Sequence, residues 1–216
     1  MLSKILEILL RLFPNVFSYA TLVTGIVGGA FAIVLADYLR RSLFKPKLAL
    51  EYENNEDYKP KTPFKNDQGE TEGYDIRVRV TNKSRFVARD CRVYLIDVEE
   101  KNQNGKFVRT VYCDSIPLAW SCQEKHKRYC GYDIHNGVNQ YVDIIVTKKD
   151  SKEFHPEIMV LPYRYSDLFK KKGVFRFTIQ AAAAGTDPVT IKLIFDWKGI
   201  WDDFTVDKER KTNKKN

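Results

Sequence analysis

The most distinct pattern in the chain is a long apolar stretch near its N-terminus. No charged residue occurs from Leu12 to Ala36, a run of 25 positions, and about 20 apolar residues suffice for a helix to cross the hydrocarbon core of a bilayer. Tyr19 and Tyr38 lie near its two ends, where amphipathic rings favour the headgroup region. We therefore predict a transmembrane helix over residues 16–43 that stays in the mature protein, since a cleaved signal peptide would have a shorter apolar region.

The residues before this stretch follow a second pattern. Apolar residues recur at helical spacing between charged ones over residues 1–15, which predicts a short amphipathic helix at the bilayer surface. Two basic residues precede the uncharged stretch Leu12–Ala36 and four follow it closely, so the positive-inside rule places the C-terminal domain in the cytoplasm. The sequence thus predicts a single-pass protein of the cell membrane.

Small residues recur every four positions along two faces of the predicted span. One face carries Thr21, Gly25 and Gly29, and the other carries Thr24, Gly28, Ala32 and Ala36. Small side chains at this spacing let helix backbones approach closely, so we expect the spans to form a homo-oligomer. The candidate oligomerisation residues are Gly25, Gly28, Gly29 and Ala32. The alternative is that glycine is simply frequent in transmembrane helices.

Beyond residue 43 the apolar period changes from helical to two. Alternating or short apolar runs occur at 47–52, 76–80, 91–95, 142–146, 158–161, 175–179 and 191–197. Alternation is typical of strands with one buried and one solvated face, and turn clusters such as 102–105 and 185–188 separate the runs. The polar stretch Glu53–Glu72 contains two prolines and predicts a long loop.

These patterns predict a mainly β protein with four segments. Many short strands separated by turns are typical of a β-sandwich, which we place at 44–206. The amphipathic helix (1–15) and the transmembrane helix (16–43) precede it, and a basic disordered tail (207–216) follows it.

The formal net charge of the chain is +8. From Phe44 onward there are 32 basic and 26 acidic residues, so most of the excess belongs to the predicted sandwich. A basic domain held at a bilayer attracts anionic lipid, by about 1 kcal/mol per Lys or Arg close to the surface. The alternative is an ordinary solvated surface of mixed charge.

Clusters of basic residues are the best candidates for a binding site. The candidates for binding lipid or a partner are Lys125, Lys127, Arg128, Lys148, Lys149, Lys170, Lys171 and Lys172. The last three lie close in sequence to Tyr163, Tyr165 and Phe169, and aromatic and basic residues together suit a lipid headgroup or a nucleic-acid strand. Anionic phospholipid or a protein is the expected partner, and nucleic acid is less expected because no recognition-fold signature occurs.

The four cysteines are too few for a disulfide scaffold and fit reduced thiols in a cytosolic domain. Cys91 occupies one of the alternating apolar positions of the run 91–95 and is predicted to lie in the core. Cys113, Cys122, His126 and Cys130 have the spacing C-x8-C-x3-H-x3-C. These are zinc-ligand types, but the close C-x2-C pair of zinc fingers is absent. We expect no metal or cofactor, with zinc and buried strand thiols as the open alternatives for this set.

Signs of catalysis are absent from the sequence. There is no G-x-S-x-G elbow and no P-loop, and His126, His135 and His155 all lie in polar stretches. We therefore predict that the protein is not an enzyme. An unrecognised enzyme would instead show a deep polar pocket with a perturbed histidine or carboxylate.

Four stretches carry a resemblance to known proteins: Asn82–Leu95, Leu118–Trp120, Ile134–Gly137 leading to Tyr141–Asp143, and Trp197–Trp201. They resemble a family of prokaryotic membrane-anchored proteins with an immunoglobulin-like domain, and the resemblance covers about residues 45–205. The matching residues have structural character: a turn, a buried cysteine and a packed tryptophan.

The architecture also resembles the transmembrane effectors encoded beside short prokaryotic Argonautes. That resemblance implies a protein of antiviral defence that binds anionic phospholipid, assembles and breaches the membrane. We therefore expect a membrane-anchored, non-enzymatic effector or binding protein. The alternatives are a membrane-tethered adaptor that recognises a protein through its sandwich, and an unrecognised enzyme.

Overall fold

The computed structural model describes residues 45–66, 69–124, 126–149 and 151–209, together with Ile33, Ala36 and Tyr38. The chain divides into two compact units, Met1–Lys45 and Pro46–Asn216. In the first unit, Ile33, Ala36 and Tyr38 are helical and exposed. The predicted amphipathic helix, the candidate residues Gly25, Gly28, Gly29 and Ala32, and most of the predicted span lie outside the described residues. The described residues include no helix long and apolar enough to span a bilayer.

The second unit is built from strands. They are β1 Leu48–Glu51, β2 Lys61–Asn66, β3 Gly69–Asn82, β4 Ala88–Lys101, β5 Phe107–Arg109, β6 Ile116–Pro117, β7 Ala119–Trp120, β8 Tyr132–Ile134, β9 Asn139–Lys148, β10 Phe154–Pro156, β11 Gly173–Ala182, β12 Val189–Ile200 and β13 Asp203–Lys208. Two short 3-10 helices, Tyr163–Tyr165 and Leu168–Lys170, lie between β10 and β11.

The strands form two antiparallel sheets. One has the order β1-β3-β9-β10, with β2 also paired to β3 and β7 to β9. The other has the order β13-β12-β11-β4-β5, with β6 and β8 also paired to β4. Buried residues from both sheets form one core, so the prediction of a mainly β sandwich is confirmed.

Alternating apolar residues build this core as their period predicts. Ile76, Val78 and Val80 of β3 are all buried, as are Phe175, Phe177 and Ile179 of β11. At its centre the ring of Phe154 lies 4.9 Å from that of Phe195 and 5.7 Å from that of Trp197. Cys91 and Trp197 are buried, as their alternating positions predict.

Two segment predictions were wrong. Glu53–Glu72 is not one long loop, because it contains β2 and the start of β3. This hairpin lies at a sheet edge, where polar residues and Pro63 are tolerated, and cross-strand pairs such as Lys61–Glu72 (2.9 Å) replace an apolar face. The run 158–161 is not a strand: Ile158 makes only a bridge to Leu118, and Met159 and Val160 are exposed.

The C-terminal strand extends beyond the predicted boundary at residue 206. β13 continues to Lys208, and Glu209 accepts a 2.7 Å hydrogen bond from Arg176 of β11. Residues 207–209 are therefore part of the folded sheet.

The sandwich has two ends, which we name by where the chain enters. At the proximal end β1 begins, with Leu48 opposite Asn82 of β3. At the distal end Gly73 of β3 lies opposite Lys148 of β9, and the Thr147 hydroxyl donates a 2.8 Å bond to the carbonyl of Trp201 in the other sheet. The strand from Gly73 to Asn82 separates the two ends by about 30 Å, at roughly 3.3 Å per residue.

Candidate functional site

The distal end of the sandwich collects five of the predicted binding residues. Lys148 ends β9 and Lys149 follows it, whereas Lys170, Lys171 and Lys172 directly precede β11. All but the half-buried Lys148 are exposed. Lys170 forms a 3.3 Å ion pair with Asp167, and the Lys148 ammonium lies 5.3 Å from the centre of the Phe64 ring. The structure thus brings two clusters, distant in sequence, to one end of the domain.

Arg128 has a structural role that the sequence did not predict. Its guanidinium lies 2.9 Å from the carboxylate of Asp143 and 3.7 Å from that of Glu157. Asp143 is buried and also accepts bonds from Arg77 (2.8 Å) and Ser121 (2.6 Å). Arg128 therefore binds carboxylates of the domain itself. These contacts hold the loop between β7 and β8, which carries Arg128, against β9.

Two further carboxyl groups belong to this buried network. Burial raises the pKa of Asp75, as does the nearby charge of Asp143. Burial also raises the pKa of Glu157, against the opposing effect of Arg128. The network therefore has more carboxyl groups than arginines, and burial disfavours the charged forms of Asp75 and Glu157.

The other two residues of the predicted cluster at 125–128 are Lys127 and Lys125. Lys127 is exposed and lies 3.6 Å from Glu124. Lys125 lies outside the described residues. The cluster thus contributes one described, solvent-facing cation rather than a continuous basic patch.

The aromatic residues near Lys170–Lys172 separate into core and surface. Tyr165 and Phe169 are buried, whereas Tyr163 is 93% exposed. The sequence predicted that these rings accompany the lysines at a binding surface, and this was wrong for Tyr165 and Phe169. Their segment is a pair of 3-10 turns, so no regular alternation distinguishes the inward from the outward ring.

A second group of aromatic and basic residues lies at the distal end. Trp201 stacks on Tyr74 with ring centres 5.5 Å apart, and the Lys61 ammonium lies 5.5 Å from the Trp201 ring. Lys59 lies 5.7 Å from the ring of Phe204. These contacts have the geometry of cation–π interactions. The basic cluster Lys59, Lys61 and Lys65 is visible in the sequence, but its contacts with Trp201 and Phe204 depend on the fold.

The cysteine and histidine set Cys113, Cys122, His126 and Cys130 is not assembled into a metal centre. Within the described ranges no three His, Cys, Asp or Glu side chains are grouped to hold an ion. All three of these thiols are exposed rather than buried in strands, so the alternative of buried strand thiols was wrong. The Cys113 sulfur lies 3.5 Å from the Tyr165 hydroxyl.

A polar recess of about 450 Å³ opens beside the distal end. Its lining residues are Glu100, Arg109, Thr110, Val111, Arg164, Asp167, Leu168 and Lys171. Arg164 forms an ion pair with Asp114, which also accepts a 2.7 Å bond from the Tyr165 hydroxyl. That hydroxyl and then Arg164 lower the pKa of Asp114. In the part of the chain that the structure describes, neither Arg109 nor Lys171 forms an ion pair.

A larger groove of about 1150 Å³ lies between the edge strand β1 and the strands β12 and β13. Ala49, Leu50, Val189 and Ile191 supply its apolar lining, with Asp207, Lys208 and Glu209 at one side. Neither this groove nor the polar recess is lined by a histidine. The carboxyl groups with raised pKa, Asp75 and Glu157, line neither of them.

No protein-family model matches the chain, and a search of curated proteins finds no significant match. The functional argument therefore depends on the surfaces described above.

Proposed function

We propose that the protein is a membrane-tethered, non-enzymatic binding protein. Residues 16–43 anchor it and self-associate through their small-residue faces, and the immunoglobulin-like sandwich recruits an acidic partner protein through its distal end. This makes it an adaptor, whereas the resemblance to antiviral membrane effectors implies a protein that binds anionic phospholipid and breaches the membrane.

The separation of the two ends of the sandwich carries the proposal. The proposed anchor ends at residue 43, and β1 begins at Leu48, at the proximal end. Lys148 lies at the other end of β3, about 30 Å along the strand. The distal lysines therefore lie far from the point at which the chain enters the sandwich.

The positive charge of the distal end favours an acidic partner protein. Lys149, Lys171 and Lys172 are exposed, and exposed cations attract an acidic protein over about 8 Å at physiological ionic strength. Such attraction speeds association and weakens as salt is added.

Charge reversal at the distal end tests the proposal in the full-length protein. Lys148→Glu/Lys149→Glu/Lys172→Glu should abolish the complex with a partner, because it replaces the attracting charges. The matched control Lys47→Glu/Lys83→Glu/Arg85→Glu changes the same charge at the proximal end and should retain it. Native gel electrophoresis of gently solubilised membranes measures the size of the complex. Loss in the control alone, or no complex in the wild type, would overturn the proposal.

Anionic lipid is a second candidate ligand, and the proximal end favours it. Lys47, Arg85 and Arg89 are exposed there, and the Arg85 guanidinium lies 5.1 Å from the centre of the half-buried Phe86 ring. This pairing suits the headgroup region of the bilayer that anchors the chain.

Vesicle co-sedimentation tests the lipid candidate with residues 46–216, a compact unit with its own core. The fragment should bind phosphatidylglycerol vesicles more than phosphatidylcholine vesicles, and Lys47→Glu/Arg85→Glu should remove the difference. Lys148→Glu/Lys149→Glu is the matched control and should bind as wild type. Equal binding to both vesicle types would eliminate this candidate.

A further inference from the structure

One side of the sandwich exposes several large apolar side chains. Val108, Val111, Met159, Val160 and Tyr163 have exposures of 45%, 66%, 64%, 69% and 93%. They lie in two segments, one at and after β5 and one between β10 and β11. Single exposed apolar residues are ordinary, but several on one side of a domain mark an interaction surface.

The two segments are joined by direct contacts. Arg164 forms an ion pair with Asp114, and the rings of Tyr112 and Tyr165 lie 4.8 Å apart. Val111 of one segment and Arg164 of the other line the same polar recess. β5 and β10 each form one edge of their sheet, so we call this side the β5/β10 surface.

Unpaired cations accompany the apolar residues on this surface. Five charged side chains line the recess: Glu100, Arg109, Arg164, Asp167 and Lys171. Arg164 is paired with Asp114 and Asp167 with Lys170. Among the described residues, Arg109, Lys171 and Glu100 form no ion pair, although Arg109 lies opposite Glu99 and its charge helps to lower the pKa of that residue. The recess therefore holds two cations and one carboxylate outside ion pairs.

We propose that the β5/β10 surface is the docking site for an acidic segment of the partner protein. The segment places carboxylates at Arg109 and Lys171 and packs an apolar side chain against Val111 and Tyr163. The carboxylate of Glu100, which lines the same recess as these cations, would repel a uniformly anionic lipid surface. A peptide can place its carboxylates at the cations and away from Glu100. This site rests on the proposed function and locates its recognition surface.

Photo-crosslinking of the full-length protein in the cells that make it tests this site. p-Benzoylphenylalanine replaces Tyr163 in one protein and Lys149 in another. At position 163 the expected product is a protein adduct whose crosslinked peptide has net negative charge. Arg109→Glu/Lys171→Glu should reduce its yield at least about tenfold, which corresponds to roughly 1.4 kcal/mol of binding. The matched variant Lys192→Glu/Lys208→Glu, at the β12 and β13 side, should leave the yield unchanged.

The outcomes separate failure of the site from failure of the function. At position 163, an adduct with lipid or with a second copy of this chain overturns the site. A protein adduct whose yield does not change in Arg109→Glu/Lys171→Glu also overturns it. Protein adducts at position 149 without any at 163 also overturn it but retain the proposed function. No protein adduct at either position overturns both.

Discussion

At the scale of single residues, burial decides which side chains with the same chemistry serve the core and which face outward. Tyr163 and Tyr165 are two positions apart, yet the first is exposed and the second is buried. Arg128 and Lys127 are adjacent, yet only Arg128 meets buried Asp143. Such partners lie far away in sequence, so a local pattern cannot reveal them.

Trp197→Ala should destabilise the domain by about 3–5 kcal/mol, because removing a buried aromatic ring leaves a cavity. Trp197 stacks on Phe195 with ring centres 5.9 Å apart. Urea unfolding of the 46–216 fragment measures the change. Trp201→Ala, at a half-buried ring, is the control and should cost less; equal effects would show that Trp197 is not a central core residue.

Glu99→Gln should lower the stability at neutral pH by about 3 kcal/mol, because it breaks a largely buried ion pair. Arg176 donates bonds of 2.6 and 2.7 Å to this carboxylate, and they lower its pKa below the ordinary value of 4.5. A lowered folded-state pKa gives stability that is present above pH 4.5 and is lost as the pH falls through the folded-state value.

Urea unfolding across pH checks the Glu99 prediction. The wild type should lose stability on acidification more steeply than Glu99→Gln. Glu70→Gln is the control, since the Lys65–Glu70 pair is exposed and should contribute less than about 1 kcal/mol. Parallel pH profiles of wild type and Glu99→Gln would contradict the role of this pair.

At the scale of elements, the sequence predicts the long strands and β1 but misses most of the short ones. β3, β4, β11 and β12 each contain several alternating positions, so their period is visible. β6 and β7 are two residues long, too short to show any period. The hairpin of β2 and β3 was missed for another reason: its cross-strand contacts are ionic, so its composition matches that of a loop.

Gly73→Ala should destabilise the domain by about 1–3 kcal/mol, the usual cost of inserting a methyl group into packed structure. A Cβ at this position would meet the carbonyl oxygen of Thr147 and the ring of Phe64. Thermal unfolding measures the change, with Glu70→Ala at an exposed position of the same strand as control. Equal stability of wild type and Gly73→Ala would show that β3 and β9 can separate without cost.

At the scale of the whole molecule, topology determines which clusters meet. The sequence identifies Lys148–Lys149 and Lys170–Lys172 as separate basic clusters, and antiparallel strand order brings both to the distal end. It could not identify the β5/β10 surface, because that surface combines two segments about 50 residues apart that only the folded sheets bring together.

Gly25→Leu or Gly29→Leu should weaken self-association of the full-length protein without blocking membrane insertion, because both keep the span apolar and block close helix approach. Crosslinking in membranes measures the oligomer, and alkaline extraction measures insertion. Ile26→Leu is the control and should crosslink as wild type. Unchanged crosslinking in both glycine variants would contradict the predicted helix contact.

Two outer strands of the sandwich have a consequence when many copies of the domain are crowded together. β2 carries Pro63 between Lys61 and Lys65, and β13 carries Asp203, Asp207 and Lys208. Proline and charge on an outer strand oppose the addition of another chain. Many copies concentrated in a small area would therefore resist fusing along these strands into fibrous aggregates, which would keep each domain separate.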